Sequence, residues 1–167
     1  HLAMRRGIEL LLSEAGFRVF VVPEVATILI NGGLDFACMT REKRLTQQRV
    51  ILQSIMMLED AFIELAQFDA RPAVILCDRG TMDGSAYCSA EEWTELLNET
   101  GYTGDELRDS RYDAVIHLVS AAIGAASFYT TANNAARRET VEEAAELDGR
   151  TLKAWTGMKV VSSLVGF

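Results

Sequence analysis

Two short runs place acidic side chains directly after stretches of buried-type aliphatic residues. The first is Phe17 to Pro23, FRVFVVP, followed by Glu24; the second is Ala73 to Cys77, AVILC, followed by Asp78-Arg79-Gly80. A carboxylate at the carboxyl end of a strand, on the ligand side of a sheet, is placed to accept a proton from a bound hydroxyl. Glu24 is the candidate base. Its alternative reading is a solvated loop acid, or an acid at the start of a helix beginning at Val25. An acid in the position of Asp78 can orient hydrated magnesium in a phosphoryl-transfer site. The planar fork of Arg79 can hold a phosphate or a substrate group; the alternative for this pair is a salt-bridged loop. Asp83 follows on the same loop and, with Gln48, makes up the candidate substrate-binding set. Arg137-Arg138, between Asn133-Asn134 and an acidic segment, could close over a nucleotide and stabilise charge on a transferring phosphoryl group. They could equally pair with Glu139, Glu142 and Glu143 as solvated helix neighbours.

These residues need elements to hold them. Ile8 to Ala15 carries apolar residues at helical spacing and Gly16 ends it. Gly7 interrupts that helix if it starts earlier, at a cost of about 1 kcal/mol against alanine. Phe17–Val22, Ala73–Cys77 and Tyr112–Val119 read as strands covered on both faces. Arg41 to Phe68 reads as one long helix, with Leu45, Ile51, Leu52, Ile55, Leu58, Phe62 and Leu65 on one side and Met56-Met57 as core filling. Ser89 starts a capped helix that turns Trp93, Leu96 and Leu97 inward. Gly101 and Gly104 mark a loop, and Thr140 to Trp155 is a charged helix. Met158 to Phe167 fits either a helix or a strand. Strands separated by helices predict an α/β fold of three layers with a mostly parallel sheet, the first three strands lying in it together.

The chain has 167 residues, which fits one domain over 1–167. Its net charge of −8 argues against duplex DNA or RNA, which need clustered cations. No window holds the roughly 20 apolar residues of a membrane span. Cys38, Cys77 and Cys88 have no metal spacing and read as buried thiols in a reducing, cytoplasmic setting. His117, inside the third strand, reads as a satisfied core histidine. No HExxH, CxxC or GxSxG pattern occurs, which leaves zinc-hydrolase and serine-esterase readings without residues.

The segments GFRVFVVPEVATILINGG, VILCDRGTMDGSAY, ELRDSRYDAVIHLVSAA and ELDGRTLKAW together resemble the NadR/TRPL-translocation-defect ATPase domain family. These are P-loop proteins similar to nicotinamide riboside kinase and, more distantly, to thymidylate and deoxyribonucleoside kinases. The resemblance runs from about Ile8 to Trp155. It implies a kinase-type P-loop NTPase fold that binds ATP or GTP with Mg2+. Glu24 matches the family acid that faces the acceptor. Asp78, the metal-side acid, and Arg79 match its DR pair. Arg137 matches a lid arginine, and Arg150, in LDGRT, matches another on the lid-side helix; Arg138 has no clear counterpart. The family's GxxxxGK[ST] phosphate loop is absent from these residues. Two family stretches are therefore expected to be missing, one ending near or before Ile8 and one near Gly157-Met158. A parallel sheet without its central strand would leave strand edges open.

Three functions follow from the resemblance. The first is a kinase acting on a small nucleoside-like acceptor. The second is a nucleotide-dependent switch or adaptor, joined to a further domain in the full-length protein. The third, if the phosphate loop has been lost, is a pseudo-enzyme.

Overall fold

The first helix forms from an amphipathic run and stops where the sequence provides a glycine. In the computed structural model, which describes residues 2–37, 40–119, 141–158 and 161–165, α1 spans Leu2–Glu14 and passes through Gly7. Gly16 takes φ 92°, and Phe17 N–H reaches back to Leu12 O at 3.1 Å. That left-handed turn closes the helix end at no Cβ penalty. The chain then divides into two units, His1–Gly84 and Ser85–Phe167.

In the first unit, α1 leads into β1 (Arg18–Val22), α2 (Val25–Asn31), α3 (Arg41–Gln67) and β2 (Ala73–Cys77). Thr40 caps α3 by accepting from Lys43 N at 3.2 Å, a cap that contributes about 1 kcal/mol. β1 and β2 are parallel, with Arg18 opposite Ala73 and Val22 opposite Cys77. Helix α3 packs on both strands, α1 packs on β1, and α2 packs on α3. Val25, Ile51 and Ile55 form the buried cluster, with Leu29 and Leu58 packed against it. Each such side chain contributes about 1.5–3 kcal/mol by leaving water. Phe62 of α3 meets Phe20 of β1 with ring centroids 6.0 Å apart. Two expected core residues are exposed instead: Met57 is 65% exposed and Leu65 57%. Leu65 lies in the last turn of α3, and Met57 lies off the stripe that covers the strands.

The second unit begins in the 3-10 turn Asp83–Tyr87 and continues through α4 (Ala90–Thr100), α5 (Gly104–Arg108), β3 (Val115–Val119), α6 (Val141–Ala154) and β4 (Val161–Val165). Ser89 and Glu92 form a capping box at α4. Thr103 and Glu106 form another at α5, where the two glycines had indicated only a loop. Leu96 and Leu107 are fully buried, and Tyr112 meets Trp155 edge-on at 5.1 Å. β3 pairs in parallel with β4, Val115 opposite Val161. The third strand, within the Tyr112–Val119 run, is Val115–Val119, and among the described residues its ladder partner is β4. Parallel partners need a crossover between them, and α6 lies in the β3–β4 connection. The α/β class with parallel strand pairs is as expected. No helix among the described residues is long and apolar enough to cross a membrane.

Candidate functional site

Glu24 and Asp78 leave neighbouring strands of the first unit at the same end. The ladder continues one step past β2, because Asp78 N–H donates to Val22 O at 3.0 Å. Pro23 then turns the chain, and Glu24 takes the N-cap position of α2 with φ −60° and ψ 113°. The helix-start reading of Glu24 therefore holds for its backbone. Its side chain does no capping. One carboxylate oxygen accepts from Thr27 Oγ1 at 2.5 Å, and the other lies 3.5 Å from Arg79 Nε. The ion pair is open to solvent, with side chains 44% and 34% exposed, so its stabilisation is at most about 1 kcal/mol.

Arg79 is the only described non-glycine residue with positive φ, at 72°. A Cβ in that region crowds the following carbonyl, at about 1–2 kcal/mol. The strain is held by the residues after it. Gly80 N–H donates to Asp83 Oδ2 at 2.9 Å, and Asp83 N–H donates to Gly80 O at 3.1 Å. Asp83 thus braces the turn that presents Arg79.

Asp78 is more enclosed, and its carboxyl is held above the usual aspartate range. Burial is the main cause and the Glu24 carboxylate adds to it; Arg5 and Arg79 act in the opposite direction. Two carboxylates at one sheet edge concentrate negative potential, which a cation relieves. Arg5 of α1 answers part of that need, with Nη1 3.5 Å from Asp78 Oδ2. Sequence reading missed Arg5. The pairing joins residues 73 positions apart, and only the packing of α1 on β1 brings them together.

The donors at this sheet edge are carboxylate oxygens, the ligand type that magnesium takes. No group of three His, Cys, Asp or Glu side chains converges among the described residues. Magnesium is held by one or two carboxylates, with water and substrate phosphates completing its shell, and Asp78 can supply such an oxygen.

The other expected site residues are placed as follows. Gln48 is buried on α3, 4% exposed. Arg150 is exposed on α6, in the second unit. Arg137 and Arg138 lie outside the described residues, as does Cys38. His117 is buried and has its partner: Nε2 lies 3.1 Å from Asp148 Oδ2 of α6. Cys77 and Cys88 form no disulfide among the described residues.

A family model described as AAA domain matches residues 8–165. No curated protein and no solved structure matches the chain.

Proposed function

The chain belongs to the AAA domain family, a P-loop NTPase type whose fold implies nucleotide binding, and on that premise we propose that it transfers the γ-phosphoryl group of ATP or GTP to a hydroxyl of a small nucleoside-like acceptor. The observation that carries this reading is the pairing of Glu24 and Asp78 at adjacent parallel strand ends, with Arg79 held over Glu24 by a strained turn. Ligands bind at that end of a parallel sheet.

In this reading Glu24 takes the proton of the acceptor hydroxyl as the new O–P bond forms and the bond from the γ-phosphorus to the β–γ bridging oxygen breaks, the nucleoside diphosphate leaving with that oxygen's electron pair. Thr27 fixes which way its carboxylate faces. Asp78 orients Mg2+, which when bound neutralises charge on the phosphates. Arg79 leaves Glu24 to grip the acceptor or the phosphates. Arg137 and Arg150 are assigned to the phosphates by the family resemblance alone. Phosphoryl transfer asks mainly for positioning and charge stabilisation, and these side chains are suited to both. Chemistry of this kind also draws on a glycine-rich phosphate loop, whose backbone amides hold the phosphates.

The test uses labelled ATP and GTP with a panel of nucleosides. The expected result is transfer of label to an acceptor, dependent on Mg2+. Nucleotide binding without acceptor-stimulated turnover would replace the kinase with a regulatory switch. Absence of nucleotide binding would leave the pseudo-enzyme.

A further inference from the structure

Arg5 is not accounted for by the reaction just described. It stands on the first full turns of α1, a helix that packs on β1, and it is aimed along the sheet edge at Asp78. Its Nη1 donates to Asp78 Oδ2 at 3.5 Å. On its other side Nε lies 3.1 Å from Glu9 Oε1, one turn further along α1. Yet among the described residues Arg5 Nε and Glu9 Oε1 are both buried atoms without a hydrogen-bond partner, so the Glu9 contact is attraction without an aligned bond, and the one bond that seats the guanidinium is the long one to Asp78. Arginine keeps its charge at every working pH.

We propose that Arg5 is an internal counter-cation that occupies Asp78 in the nucleotide-free protein and competes with divalent metal for it. The proposal rests on the reading of Asp78 as the metal-side carboxylate. A metal ion at Asp78 stands close to the Arg5 guanidinium on Oδ2, and the two cations repel, so metal binding and the Arg5 contact oppose each other. The long contact and the unaligned Glu9 bond make Arg5 easy to move. Glu9, four residues on, then keeps the released guanidinium on α1. Metal affinity without nucleotide is thereby held down, and charge stays balanced at the sheet edge until phosphate oxygens arrive to strengthen the metal's hold.

The experiment titrates the full, nucleotide-free chain with Mn2+, read by electron paramagnetic resonance. Wild type is compared with R5Q, R5K and D78N. R5Q is expected to bind Mn2+ about fivefold more tightly, the size of a partly exposed ion pair removed. R5K, which keeps the charge, is expected to remain near wild type, and D78N to lose the site. If R5Q does not fold, R5M, which keeps a long helix-forming stem, takes its place. Equal Mn2+ affinity in wild type and R5Q, with D78N still losing the site, overturns the competition and leaves the metal reading standing. Equal tightening in R5Q and R5K also overturns it, since charge is then not the cause. Unchanged Mn2+ binding in D78N removes the metal reading itself.

Discussion

Replacing Arg79 with glycine and with alanine separates the backbone strain at this site from its side-chain chemistry. Both substitutions remove the same ion pair with Glu24, so that contribution, already small for exposed partners, cancels between them. What remains is the backbone. At φ 72° a Cβ costs about 1–2 kcal/mol, and glycine gives back roughly 0.5–1 kcal/mol through the greater freedom of its unfolded chain. R79G is therefore expected to be more stable than R79A by about 1 kcal/mol, seen as a melting temperature about 2–4 °C higher for a chain of this size. Urea titration of the two variants provides the equilibrium measure, with equal slopes required for the comparison. Turnover should respond differently. Both variants lose the guanidinium, and both should fall about 100-fold in kcat, as sites that lose one charge-stabilising donor do. If R79A were as stable as R79G, the left-handed strain would not exist. If R79G retained turnover, the strain would be serving something other than delivery of an arginine.

Three further outcomes are expected. Changing Glu24 to Gln should abolish acceptor-dependent transfer while nucleotide binding, followed by thermal shift, stays close to wild type, because a base acts only in the chemical step. Changing Asp78 to Asn should stabilise the ligand-free protein at neutral pH: the carboxyl is held above its ordinary value by burial and by Glu24, so its favourable contribution is complete below the ordinary aspartate range and is lost as pH rises through the folded value. Urea titrations of D78N and wild type should accordingly converge in acid, and a wild type that is the more stable at neutral pH would contradict this. Changing Asp148 to Ala strands His117 in β3 without its partner. A buried group left unsatisfied costs about 1–3 kcal/mol, so D148A should unfold at a clearly lower urea midpoint, and a loss well under 1 kcal/mol would mean water had replaced the carboxylate.

The elements that the sequence reveals best are those fixed by local chemistry. Gly16 ends α1 because only glycine sits easily at φ 92°, and Ser89 starts α4 through a box whose two partners are three residues apart. Helix α5 was legible by the same rule, since Thr103 and Glu106 have that spacing, but Gly101 and Gly104 drew the reading toward a loop. β4 was not legible. MKVVSSLVGF has neither a clean alternation nor a helical stripe, and its type is fixed by a partner strand 46 residues earlier in register. At the site, Glu24 and Asp78 could be named because strand ends in parallel sheets face ligands. The limit of this approach is the interior: nothing local says that α3 turns Gln48 inward. Arg5 shows the same limit from the other side, because a cation on one helix finds its acid only after β2 has joined β1.

That last dependence concerns the order in which the chain can fold. Arg18 cannot pair with Ala73 until everything between them has been looped out, and the entropic cost of closing such a loop precedes any ladder bond. Helix α3, capped at Thr40 and carrying local contacts of its own, shortens the loop and offers both strands an apolar face to collect on. The β1–β2 ladder therefore forms late, on a helix already in place, and Asp78 and Glu24 come together in the same closing step. Weakening α3 at a solvent-facing position should slow refolding more than it speeds unfolding, and until the ladder zips the two acids remain on separate, mutually unaware ends of the chain.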